Sequence, residues 1–315
     1  MQENLIEEGY LPEVDGHEVY FARYGNPNGP AILSIHGGPG SSSKVKQAMQ
    51  FDLSRYQVIL YDQRGCGKSV PQGSIEKNTT QDLVDDIERL RAQLAIDAWF
   101  VAGNSWGSTL ALVYAQAYPK RVKGLLLSSI FLASPQEEAW AFTEGGVSRV
   151  FPDVWERRLS FLQQYAATPQ NAPKALLEKI QSDDTELIKQ VAAGVLNWEW
   201  NLTSTVQDVS YLSAEDITDT HVAAAKIFLH YEAKDYFLEP NQILQNLQRI
   251  TRIPTVIVHG RFDVLCPAES AWLLKKGLDT VQLEFLPSSA HSLTAEGQIA
   301  KKLLFAGVLE RWCAK

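Results

Sequence analysis

Basic charge is scarce in this chain of 315 residues, where 29 Lys and Arg face 37 Asp and Glu for a formal net charge of −8 and a pI near 5.3. No run of five or more basic residues breaks that balance, so the sequence carries no electrostatic footprint for nucleic acid or an anionic membrane surface. Long apolar runs are missing too: stretches such as Gly124 to Ala133 fall well short of the roughly 20 residues that cross a bilayer. The opening MQENLIEEGY is acidic and polar, which reads as neither a signal peptide nor an anchor. Cysteine is limited to Cys66, Cys266 and Cys313, an odd and scattered set with no C-x-x-C and no His pair at metal-ligand spacing. That argues against a disulfide framework or a metal site, and predicts reduced thiols in the cytoplasm.

The composition that remains, 45% hydrophobic and 21% charged, is globular. The length admits two domains, or one α/β core carrying an insertion. Short β-type runs at Ala31 to Ile35, Val58 to Tyr61, Trp99 to Ala102 and Val122 to Ser128 alternate with amphipathic segments, which predicts a mostly parallel sheet with helices on both faces. Asp15-Gly16, between Gly9 to Val14 and His17 to Tyr24, predicts an antiparallel hairpin at the start. The strand rhythm stops from about Ser134 to Phe237, where Trp-rich helical patterns are broken at Pro152, Pro169 and Pro173. It returns at Pro254 to His259 and Val281 to Leu286, with helices expected over Pro267 to Leu278 and Glu296 to Trp312. The expected division is therefore a core of residues 1–133 and 238–315 with a helical insertion at 134–237.

Gly103-Asn104-Ser105-Trp106-Gly107 lies between the Trp99 strand and a helix expected from Thr109. This is the G-x-S-x-G pattern in a strand-to-helix context, where a sharp turn lifts the serine hydroxyl and small neighbours let the backbones cross. A serine nucleophile needs a histidine base, and the base needs an acid to fix its tautomer. In hydrolases with this elbow the chain order is Ser, acid, His. Asp263 and His291 meet it, each in a loop after a predicted strand. His36, His259 and His230 lack the required order. Two backbone amides must face the oxyanion: one from Trp106, after the nucleophile, and one from the glycine-rich His36-Gly37-Gly38-Pro39-Gly40 loop, placed at Gly38.

These segments, together with Asp62-Gln63-Arg64-Gly65-Cys66-Gly67-Lys68-Ser69 and Ser105 to Leu112, resemble the proline iminopeptidases (prolyl aminopeptidases), serine peptidases of the α/β-hydrolase fold. Glu144-Gly145-Gly146, Phe151-Pro152-Asp153, Asn197-Trp198-Glu199-Trp200 and Gly260 to Asp263 extend the likeness over nearly the whole chain. The resemblance implies cofactor-free and metal-free removal of an N-terminal proline from small peptides with a free N-terminus, with Ser105, Asp263 and His291 as triad and the insertion as a cap. It says nothing of oligomeric state.

In the family two cap glutamates bind the substrate's terminal amine. The first corresponds to Glu199; at the position of the second stands Phe228. On a helix, Glu232 would lie one turn from Phe228 and on the same face, able to supply a displaced carboxylate. The resemblance also places Cys266 in the proline pocket and makes Trp140, Phe142 and Phe151 candidates for its apolar wall. Phe228 keeps a second reading open, an esterase, amidase or lactonase for an uncharged acyl group. A catalytically silent binding protein is a third, which an intact triad opposes.

Overall fold

Asp15 and Gly16 both have positive φ, 56° and 78°, and Val14 pairs with His17 across them. The first reversal is thus the tight turn that the dipeptide favours. It connects β1 (Leu5–Tyr10) to the antiparallel β2 (Tyr20–Gly25). The first strand ends before the predicted Gly9 to Val14 run is complete, because Pro12 has no N–H to give a ladder.

The computed structural model describes residues 4–204 and 211–314. Among them one eight-stranded sheet has the order β1-β2-β4-β3-β5-β6-β7-β8, with β3 (Ala31–Ile35), β4 (Gln57–Tyr61), β5 (Trp99–Ser105), β6 (Val122–Ile130), β7 (Thr255–Gly260) and β8 (Val281–Leu286). Every neighbouring pair from β4 to β8 is parallel. The inner strands are buried on both faces, as their unbroken apolar runs require. Helices α1 (Val45–Ala48), α2 (Thr80–Gln93) and α3 (Trp106–Ala117) follow in the first half.

Between β6 and β7 the chain leaves the sheet through α4 (Pro135–Phe142), α5 (Val147–Val150), α6 (Pro152–Gln164), α7 (Ala172–Ile180), α8 (Thr185–Leu202) and α9 (Asp219–Glu232). Two prolines read as breaks, Pro152 and Pro173, instead open helices, where a missing N–H costs nothing. The insertion has its own apolar core, in which Trp155 meets Trp198 with centroids 5.7 Å apart and Phe142 meets Phe228 at 6.2 Å. After it come α10 (Gln242–Gln245), α11 (Ala268–Gly277) and α12 (Ala295–Cys313). No helix among the described residues is long and apolar enough to cross a membrane.

The Asp62 to Ser69 loop is a brace for the sheet edge. Asp62 accepts from Ser43 and from the Lys68 amide, and a side chain on Gly67, at φ 54°, would collide with that carboxylate. Arg64, 2% exposed, donates to both carboxylate oxygens of fully buried Asp86 on α2 at 2.7 and 3.0 Å. Arg64→Ala would leave Asp86 with only Arg89. We expect a loss of about 3–5 kcal/mol, read from urea unfolding midpoints; a loss within experimental error of zero would contradict this reading of the pair.

Candidate active site

Strand β5 runs on to Ser105 and α3 starts at Trp106, so the whole turn from strand to helix is made by one residue. Sequence periodicity placed a longer loop here. Ser105 accordingly sits at φ 55°, ψ −132°, in a region that non-glycine residues rarely occupy. Its neighbours have to be small: a Cβ on Gly103 would strike the Gly107 carbonyl, and one on Gly107 would strike the Ile35 carbonyl of β3. Asn104 is accommodated because its side chain has open space, the residue being exposed at the cavity edge.

His291, in the loop after β8, brings Nε2 to 3.1 Å from Ser105 Oγ and Nδ1 to 2.9 Å from Asp263 Oδ2. The other Asp263 oxygen accepts from the amides of Leu265 and Cys266 at 3.1 and 2.8 Å, which fixes the carboxylate's rotation. Burial alone would depress the imidazole pKa, but the charge and hydrogen bond of Asp263, helped by Glu199, outweigh it and hold His291 above its ordinary value. The loop is anchored twice: Ser129 Oγ donates to the His291 carbonyl at 3.1 Å, and the Ser292 amide donates to the Thr203 carbonyl, at the end of α8, at 2.7 Å.

The three histidines that compete for the role of base, His259, His230 and His36, are engaged in other hydrogen bonds. His259, fully buried, accepts from the Ile130 amide at Nδ1 and lies 2.9 Å from the Cys266 carbonyl at Nε2. His230 bonds the Asn78 carbonyl. His36 shapes the glycine loop through Gln63, whose amide N–H donates to His36 Nε2 at 3.1 Å and whose side-chain nitrogen donates to the His36 carbonyl at 2.9 Å. Gln63 Oε1 accepts from Trp106 Nε1 at 2.8 Å. One side chain therefore ties the Gly38 loop to the residue after Ser105, a link invisible in the sequence because Gln63 belongs to neither motif. We expect Gln63→Leu to lower kcat about ten- to a hundredfold with a smaller change in KM, since oxyanion donors act through position. Steady-state kinetics check this, and a kcat within twofold of wild type would refute it.

Above Ser105 opens a cavity of about 910 Å³ whose lining includes Gly38, His291, Glu199, Phe228 and Leu265. Gly38 has φ 114°, and a side chain there would strike the Gly40 and Ser41 amides. Behind Phe228, α9 buries Glu232, which is 8% exposed and absent from the cavity lining, and its Oε1 has no partner among the described residues. Glu138 of α4, which the sequence reading did not single out, senses the charge of Glu232 and accepts at Oε1 from Tyr236 Oη at 2.8 Å. Arg158 of α6 faces all three carboxylates with its guanidinium over the rings of Phe142 and Trp198, 5.3 and 4.7 Å from their centroids. No ion pair within 4 Å joins these four groups among the described residues. Burial, then mutual repulsion, pushes the Glu199 pKa up to about 7; burial does the same for Glu232, to about 7, and raises Glu138 well above the usual carboxylate range.

The remaining expected wall residues fall differently. Phe142 packs between Trp198 and Phe228, one layer behind the cavity. Trp140 does not line it: its ring lies at the surface with Nε1 donating to the Val264 carbonyl at 2.8 Å. Phe151 packs into the core of the insertion instead. Both lie on stretches whose apolar side serves the insertion's own core or surface. Cys266 is 3% exposed and absent from the cavity lining; its thiol lies within 4.8 Å of ligand atoms of Asp263 and His291. Burial raises that thiol's pKa well above the ordinary value, so it stays protonated. His291 Nδ1 and Asp263 Oδ2 are already hydrogen-bonded to each other at 2.9 Å, which commits both atoms to the Ser105 chain.

Comparison with known proteins agrees with this geometry. The α/β-hydrolase fold family model matches residues 30–298. Solved structures share the fold at low identity: an esterase from Exiguobacterium antarcticum superposes with a TM-score of 0.59 at 19% identity, covering 96% of this chain and 98% of its own. A haloalkane dehalogenase loop variant from Bradyrhizobium elkanii gives 0.67 at 18%, covering 99% and 98%. Curated sequences are nearer. A probable proline iminopeptidase of Leptolyngbya boryana is 41% identical over 92% of this chain and 89% of its own length, and a proline iminopeptidase of Xylella fastidiosa (strain Temecula1) is 38% identical over 91% of each. By sequence along its length and by the fold that carries Ser105, the chain belongs to the proline iminopeptidases, within the α/β hydrolases.

Proposed function

We propose that the protein is a serine aminopeptidase that releases N-terminal proline from small peptides without a cofactor, acting in the cytoplasm. The observation that carries this reading is that Ser105 and His291, the latter held by Asp263, share one cavity with Glu199, a carboxylate with no ion pair among the described residues. His291 takes the Ser105 proton at Nε2 as Oγ attacks the prolyl carbonyl, and the amides of Gly38 and Trp106 receive the oxyanion. His291 then protonates the leaving amine. Water, activated by the same imidazole, attacks the acyl-enzyme and frees proline.

The insertion acts as the cap, and its carboxylates are the amine site. Arg158 balances one of Glu138, Glu199 and Glu232; the substrate ammonium balances a second. Glu232 and Glu138 together make up for the glutamate that Phe228 displaces, while Phe228 and Leu265 provide apolar wall for the pyrrolidine ring. Trp140 and Phe151 have no part in it.

The test is the specificity constant for proline p-nitroanilide, alanine p-nitroanilide and p-nitrophenyl acetate, with Ser105→Ala as the blank. A strong preference for the prolyl anilide is expected. Ester cleavage with no anilide cleavage would sink the proposal and leave a Ser105-dependent esterase, the reading that Phe228 in the cavity wall would favour.

A further inference from the structure

Lys301, on α12, is a buried cation for which the chemistry above has no use. It is 8% exposed and lines the Ser105 cavity, and it also lines a smaller void of about 30 Å³ shared with Asn104, Gln47 and Gln50. Among the described residues it has no ion-pair or hydrogen-bond partner, and burial alone lowers its pKa to about 8. A largely buried lysine that opens on a cavity with no counter-charge among the described residues is costly to keep charged. It is therefore expected to meet an anion that arrives with a ligand, and it is adjacent to Asn104, the residue before the nucleophile.

The rest of the lining indicates the ligand's polarity. Among the described residues Glu199 is the only carboxylate that lines the cavity, whereas Lys44 and Lys46 of the α1 segment join Lys301, both exposed and neither in an ion pair. The cavity is acidic where the helical insertion meets it and basic where α1 and α12 meet it. A molecule complementary to this gradient carries an ammonium at one end and a carboxylate at the other.

We propose that Lys301 is the subsite for the free carboxylate of the leaving residue, so that the preferred substrates are di- and tripeptides with an unblocked C-terminus. This rests on the aminopeptidase reading and adds to it which side of the scissile bond is held. Lys44 and Lys46, at the mouth, meet the carboxylate of the longer of these peptides. The released amino acid leaves along the same basic edge.

The experiment compares kcat/KM for Pro-Gly, Pro-Gly-amide and proline p-nitroanilide in the wild type, then in Lys301→Met and Lys301→Arg. The wild type should favour Pro-Gly over its amide about ten- to a hundredfold, the scale of one charge-assisted hydrogen bond. That ratio should collapse towards one in Lys301→Met and be partly restored in Lys301→Arg, with Lys276→Met as a surface control that keeps it. Equal rates on Pro-Gly and its amide in the wild type overturn the subsite and need no variant to fold. A ratio that survives in folded Lys301→Met overturns it as well. Wild type that cleaves proline p-nitroanilide but does not distinguish acid from amide loses only the subsite; wild type that cleaves none of the three loses the aminopeptidase reading with it.

Discussion

Ser105→Ala will cost on the order of 10⁵- to 10⁶-fold in kcat on proline p-nitroanilide, and adding His291→Ala will cost almost nothing more. The two residues act as one unit, so the second loss has little left to remove. Asp263→Asn should cost about 10⁴-fold, for a reason that can be followed atom by atom. Its remaining oxygen still accepts from the Leu265 and Cys266 amides, which leaves an NH₂ group facing His291 Nδ1. The imidazole must then accept at Nδ1 and carry its proton on Nε2, where it can no longer take one from Ser105. Single-turnover kinetics with circular dichroism as a check on folding decide the matter. If Asp263→Asn retained more than a tenth of wild-type kcat, the carboxylate would not be setting the tautomer.

The second large effect concerns pH. An ammonium binds ionised carboxylates, and both Glu199 and Glu232 ionise near 7, against an ordinary value of 4.5, because burial disfavours their charge. Their ionised fraction therefore rises as pH rises through about 7. His291 must be neutral to act as a base, and its pKa is raised from 6.5 by Asp263, so its competent fraction grows in the same direction. On the acid side kcat/KM for proline p-nitroanilide should fall with a slope above one proton. For p-nitrophenyl acetate, which has no amine, only the imidazole proton counts and the slope should be one. Glu199→Gln should reduce the anilide rate about ten- to a hundredfold and reduce its slope. Because the Glu199 charge helps to raise His291, the same variant should also move the ester's acid limb to lower pH. Identical slopes for the two substrates would contradict amine binding by this cluster.

Much of this was legible in the sequence wherever one short segment carries the physics. The β8 strand Val281–Leu286 and the Ala31–Ile35 strand announce themselves by local composition, and the elbow is a local backbone demand written into Gly103, Ser105 and Gly107. Chain order sufficed to select His291 over His259, since a triad follows topology. Glu138, Arg158 and Tyr236 were not legible, because they come from three separate segments of the insertion and only its packing gathers them. Spacing alone cannot separate a buried carboxylate facing a cavity from one on a solvated helix face. The aromatic wall differs for a related cause: Trp140, on α4, and Phe151, between α5 and α6, have the right chemistry, but the insertion's packing turns both away from the cavity.

The hydrogen bond from the Ser292 amide to the Thr203 carbonyl joins the loop of the base to the end of the helix that carries Glu199. Five residues of chain, Trp200 to Thr203 and Ser292, and one hydrogen bond thus set the distance from Glu199, the proposed amine anchor, to the imidazole. With the amine seated as proposed, the arrangement would work as a ruler: it would measure from ammonium to scissile carbonyl, a separation of one carbon in an α-amino acid and of two in a β-amino acid. A β-homoproline residue seated on the glutamates would hold its carbonyl out of register with Ser105, so chain length on the acyl side would be gauged by the scaffold before ring shape is felt.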